Sequence, residues 1–149
     1  MAIPALNSVG LLPEGIHPAT LSEVELAFGR ANDTRAALYT NLCAFLDVAR
    51  SFRLFTSIVI DGSFVTDKAA PNDIDAVLIL PGALLKGLMG HSDYLKLDNP
   101  DVKAKFAIDL FIEPSLDGMA TFFQKLKTED ALLRGVGPRQ LRGVVEVSL

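Results

Sequence analysis

IVIDGSFVTDKAAPNDIDAVLIL, residues 58–80, decides how this chain is read. It begins inside a short β-branched run, Phe55 to Asp61, that reads as a strand stopping at Gly62-Ser63. A polar loop from Thr66 to Asn72 follows, carrying Asp67, Lys68 and Pro71. A second strand then runs from Asp73 to Leu80 and ends at Pro81-Gly82. Asp73 and Asp75 stand two apart at its head. On a strand, residues i and i+2 share a face with about 6.6 Å of rise between them. Two carboxylates so placed can reach one cation, or bridge a pair ~3.5–4 Å apart. On a helix the same spacing would splay them by about 200°. Asn72 and Asp73 after a proline are also ordinary turn formers, so the pair alone is open to a structural reading.

Working outward toward the C-terminus, residues 83–90 read as a helical turn or two and His91 to Pro100 as loop. A third strand is expected over Lys105 to Ile112 (KFAIDLFI), before Pro114. Asp109 interrupts that apolar strand, where an unpaired charge is expensive to bury, and turn chemistry does not explain it. It shares a face with Ala107 and Phe111, opposite Phe106, Ile108 and Leu110. If the third strand neighbours the second, three carboxylates meet. They repel one another unless a cation intervenes, and hard oxygen ligands suit Mg²⁺ or Mn²⁺. Asp117 can cap a helix through Leu126. A polar stretch with Gly135, Gly137 and Pro138 leads to a last strand, Gly143 to Leu149, whose exposed edge would suit pairing with a second subunit.

Toward the N-terminus, Asn32 or Asp33 can cap a long helix to about Phe52, with Leu38, Leu42, Phe45, Leu46 and Ala49 on one apolar face. Thr20 with Glu23 has the spacing of a capping box and predicts a short helix ending near Gly29. Residues 1–19, rich in proline and glycine, read as an extended arm. Strands alternating with helices define an α/β (α+β) protein, a mixed sheet of about four strands flanked by helices.

The 149 residues fit one domain, 1–149. Half are hydrophobic and 21% charged, the balance of a folded globular chain. A single cysteine, Cys43, excludes an intramolecular disulfide framework and points to a reducing, cytoplasmic setting. No stretch reads as a signal peptide or as the ~20 apolar residues that span a bilayer, so no membrane partner is expected. A net charge of −4 disfavours non-specific binding to nucleic acid, although bound cations can invert the local sign.

The order of these features is more specific than any one of them. A strand, Gly62-Ser63, nine intervening residues, Asp73-Ile74-Asp75 on a strand, and a later Asp109 in KFAIDLFIEP together resemble the DNA polymerase β-type nucleotidyltransferase superfamily. With LPEGIH near the start and GSFVTDK, the chain is similar to small bacterial nucleotidyltransferase-like proteins. The resemblance implies a minimal nucleotidyltransferase fold and transfer of a nucleoside monophosphate from a triphosphate such as ATP to a hydroxyl acceptor. It implies that Gly62 and Ser63 bind the β/γ-phosphates, that Asp73 and Asp75 hold two Mg²⁺ ions, and that Asp109 ligates the metal nearer the acceptor. Many members carry a basic residue soon after the Gly-Ser. Lys68 is the nearest here, and it reads equally as a solvated loop lysine. The segment after Pro114 is too short for the helical domain of larger members, so the acceptor would bind elsewhere, on a partner subunit, or not at all. A nucleotide-sensing or partner-binding module, toxin- or antitoxin-like and without transfer activity, is the alternative.

Other residues have plainer readings. His17 and His91 lack ligand spacing and read as structural, Cys43 as an inert thiol beside the long helix's apolar face, and Phe122 and Phe123 as core. Arg134, Arg139 and Arg142 read as a solvated loop or as phosphate or acceptor contacts.

Overall fold

The computed structural model describes residues 3–117, 124–137 and 139–149. Five strands form one mixed sheet: β1 (Ile16–Pro18), β2 (Ser57–Asp61), β3 (Ile74–Ile79), β4 (Ile108–Glu113) and β5 (Val144–Ser148). Their order is β1-β5-β2-β3-β4. β2 is antiparallel to both β3 and β5, whereas β3 and β4, like β1 and β5, run parallel. The parallel β3–β4 pair needs a crossover, supplied by α3 (Leu85–Met89) and α4 (Asn99–Phe106).

The core lies on one face of this sheet. The long helix α2 (Asp33–Phe52) begins where the Asn32 side chain accepts from Arg35 N at 2.9 Å, and it ends at Arg53, in the left-handed conformation. Its predicted stripe, Leu38, Leu42, Phe45, Leu46 and Ala49, is buried against Ile58, Ile60, Ala76, Leu78 and Val145. Ring centroids of Phe45 and of Phe106 in α4 stand 5.6 Å apart, edge to face. Thr20 caps α1 (Leu21–Val24) through Glu23 N, and a π turn continues it to Gly29. The opposite face carries a smaller cluster, Val59, Val77, Ile79 and Val144. No described helix is long and apolar enough to cross a membrane.

Four expectations change. The sheet has five strands because residues 16–18 pair with β5, and Leu11 and Leu12 are fully buried, so the expected extended arm is largely part of the fold. β5 is not an exposed edge: it lies between β1 and β2. Residues 99–106 are helical, where 99–100 read as loop, 105–106 as strand and 101–104 as neither. Pro100 sits in the first turn, where its missing N–H costs nothing, and Val102 and Phe106 bury one face. A further helix, α5 (Thr128–Arg134), replaces the expected polar stretch, with Glu129 and Asp130 in its first turn and Gly135 closing it at φ 67°. The helix predicted from Asp117 lies mostly outside the described residues, as do Phe122 and Phe123; its end does not form, since Lys125 bridges Leu141.

Candidate functional site

Strand register brings the acidic residues together. Asp75 of β3 is paired with Asp109 of β4 on one side and with Asp61 of β2 on the other. Paired residues on neighbouring strands lie about 5 Å apart and face the same way. Asp61, Asp75 and Asp109 therefore form a row across the end of the sheet, on the face opposite the main core. Asp73, one residue before β3, stands beside the row. Its Oδ2 lies 3.5 Å from Lys103 Nζ. Asp109 is steadied from α4: Asn99 donates to its Oδ1 at 2.9 Å and accepts from Leu110 N at 2.7 Å.

The crowding shows in the acidities. Burial pushes the Asp75 carboxyl above its ordinary value, and the charges of Asp73 and Asp109 push it further. Asp61, only 3% exposed, rises to about 6 because burial outweighs the opposing pull of the Arg142 guanidinium. Arg142 Nε stands 3.2 Å from Asp61 Oδ1, but the approach is off-axis and neither buried atom has a hydrogen bond among the described residues.

Gly62 follows Asp61 at φ 81°, where a side chain is strained, and a Cβ there would fall against the Asp75 carboxylate, 2.9 Å from its Cγ. Ser63 opens a 3-10 turn to Val65. Arg35, 3% exposed on α2, holds this turn from beneath. Its guanidinium donates to the carbonyls of Phe64 at 2.7 Å, Thr66 at 2.8 Å and Lys68 at 2.6 Å, and also to that of Phe28. The turn thus hangs from one buried cation, while the Lys68 side chain is left at the surface.

A cleft of about 370 Å³ opens over these residues, bounded by Gly62, Ser63, Lys68 and the aspartates 73, 75 and 109. Lys103, Lys127, Arg134 and Arg142 line it too, interleaved with Glu129 and Asp130. Two of these arginines correct the solvated-loop reading. Arg142 is 8% exposed beside Asp61. Arg134, on α5, binds Asp67 at 2.8 Å and Asp130 at 3.0 Å. His17 Nε2 meets the Pro13 carbonyl at 2.6 Å, and His91 stacks on Phe52, both structural placements.

Whether the acids suit a metal divides by residue. Asp75 and Asp109 are neighbours with hard oxygen donors, and their mutual repulsion, which Lys127 and Arg142 only partly offset, is one that a divalent cation would relieve. As the side chains lie, no three His, Cys, Asp or Glu among the described residues close around one ion, and Asp73 is engaged by Lys103.

Sequence reasoning passed over Asp61, Arg35 and Asn99. Asp61 was legible as a charge ending the apolar run IVID, but its place opposite Asp75 depends on register. Arg35 and Asn99 gave no local signal, since the partners of Arg35 in the Gly62-Ser63 turn lie 28 to 33 residues away and those of Asn99 10 to 11.

Fold and site together define an α+β protein with a carboxylate-lined cleft at one end of a mixed sheet. Residues 4–148 match the family of unknown function DUF6932, and the chain belongs to that family. No curated protein and no solved structure matches it.

Proposed function

We propose that the chain is a metal-dependent nucleotidyltransferase of minimal nucleotidyltransferase fold, moving a nucleoside monophosphate from a triphosphate to a hydroxyl acceptor. The observation that carries this reading is the in-register pairing of Asp75 with Asp109 beside the Gly62-Ser63 turn, in one cleft with Lys68 and Lys127. Asp75 and Asp109 would hold Mg²⁺ or Mn²⁺, and Asp73 would join them on leaving Lys103. The metal would neutralise phosphate charge and lower the pKa of the attacking hydroxyl. Gly62 and Ser63 offer backbone N–H groups and a hydroxyl to the phosphates. Lys68, Lys127 and Arg142 add positive charge at the same cleft.

Calorimetric titration with ATP, GTP, CTP and UTP, with and without Mg²⁺, tests the reading without knowledge of the acceptor. Metal-dependent binding by the wild type, lost in Asp73→Asn/Asp75→Asn, is expected. Failure of a well-folded wild type to bind any triphosphate would sink it.

The engagement of Asp73 by Lys103, with no closed metal group among the described residues, favours a second reading: a nucleotide-sensing or partner-binding module, toxin- or antitoxin-like, without transfer. Transfer of label from an α-labelled triphosphate to any acceptor, abolished by Asp75→Asn, would exclude it.

A further inference from the structure

Behind the carboxylate row lies a second pocket of about 290 Å³. It shares Asp75, Asp109, Lys127 and Arg142 with the cleft, so the two cavities adjoin along the row. Its remaining walls differ in character. Phe111 and Leu126 provide apolar surface, Asp61 a carboxylate held against Arg142, and Lys125 a positive charge that the cleft does not use. Phe111 is 42% exposed, on the same face of β4 as Asp109 and two residues beyond it.

The charges around this pocket are unequal in effect. Arg142 stands against Asp61, so that pair is internally compensated. Lys127 lies near enough for its charge to favour the ionised forms of both Asp61 and Asp75. Lys125 remains on the side that the cleft does not reach. An aromatic and an aliphatic wall with a lysine that the cleft does not share suit a ligand with an apolar body and one anionic group, lying beside Asp75 and Asp109.

We propose that this pocket binds a small amphipathic anion, an apolar or aromatic body carrying a single carboxylate or phosphate, and that this molecule is the acceptor. The volume, about 290 Å³, suits a body of a few ring or chain atoms. Its role as acceptor rests on the transferase reading; its occupancy of the pocket does not.

Phenyl phosphate is the probe, titrated calorimetrically against the full chain beside inorganic phosphate and benzyl alcohol. Phenyl phosphate should bind at least about tenfold more tightly than either, since each control lacks one half of the recognition. Phe111→Ala and Lys125→Gln, both outside the cleft, should each weaken phenyl phosphate and leave Mg²⁺-dependent triphosphate binding unchanged, and Lys125→Gln should leave the melting temperature unchanged as well. Equal binding of phenyl phosphate and inorganic phosphate, or insensitivity to both substitutions, would overturn the proposal. If phenyl phosphate behaves as expected while no triphosphate binds, the pocket stands and the transferase reading falls.

Discussion

At Gly62 the backbone runs against the Asp75 carboxylate in a conformation that L side chains rarely adopt. Gly62→Ala should cost about 1–3 kcal/mol from strain at positive φ, read as a lower urea midpoint, and should weaken triphosphate binding by displacing Asp75. Asp61 makes a different prediction. Its pKa rises from 3.8 unfolded to about 6 folded, so the fold favours the protonated form. The stability it contributes is complete below pH 3.8 and is lost as pH rises through 6. At ~1.4 kcal/mol per pH unit, that amounts to on the order of 3 kcal/mol. Urea denaturation from pH 3.5 to 7.5 should show this loss in the wild type, and Asp61→Asn should flatten it. A difference between the two that does not change with pH would contradict the assignment.

Among the elements, α2 does more than bury its apolar stripe. Through Arg35 it fixes the turn that bears Gly62 and Ser63. Arg35→Ala would orphan several carbonyls in and around that turn and should cost at least about 3 kcal/mol. Arg35→Lys, lacking the planar fork, should recover only part of it. Limited proteolysis within residues 66–72 should rise in both. The elements divide by how their signals are written. α2 was legible because its buried face repeats at helical spacing, and β2 and β3 because they are short apolar, β-branched runs buried on both faces. α5 was not, because Ala131 is its only buried residue, and Leu132 and Leu133 stand 75% and 87% exposed. α4 was hidden because Pro100 breaks a helix interior but is welcome in a first turn. For the site, Asp73, Asp75 and Asp109 were readable as charges out of place in apolar strands. The pairing of Asp61 with Asp75, the role of Asn99 and the buried side of Arg142 were not, because pairing and burial are properties of the assembled sheet.

For the molecule as a whole, a ligand that binds only the folded state must stabilise it. MgATP at 100 times its dissociation constant should add about 2.7 kcal/mol, a rise of about 5–11 °C in melting temperature for a domain of this size. Asp73→Asn/Asp75→Asn should show no such rise, and a rise that persists in that variant would place the nucleotide away from the aspartates. The strand order has a separate consequence for how the molecule comes into being. β5, which fills the gap between β1 and β2, is made last of the five. During synthesis, β1 has no partner and one side of β2 is an open row of amide and carbonyl groups until residue 148 is available. Between the synthesis of residue 61 and that of residue 148, the nascent chain therefore carries a strand destined for full burial with an adhesive edge. Arg142, which compensates Asp61, arrives in the same closing step. Charge compensation beside the row and closure of the sheet are one event in time, and a chain stalled before it is a target for aggregation or quality control.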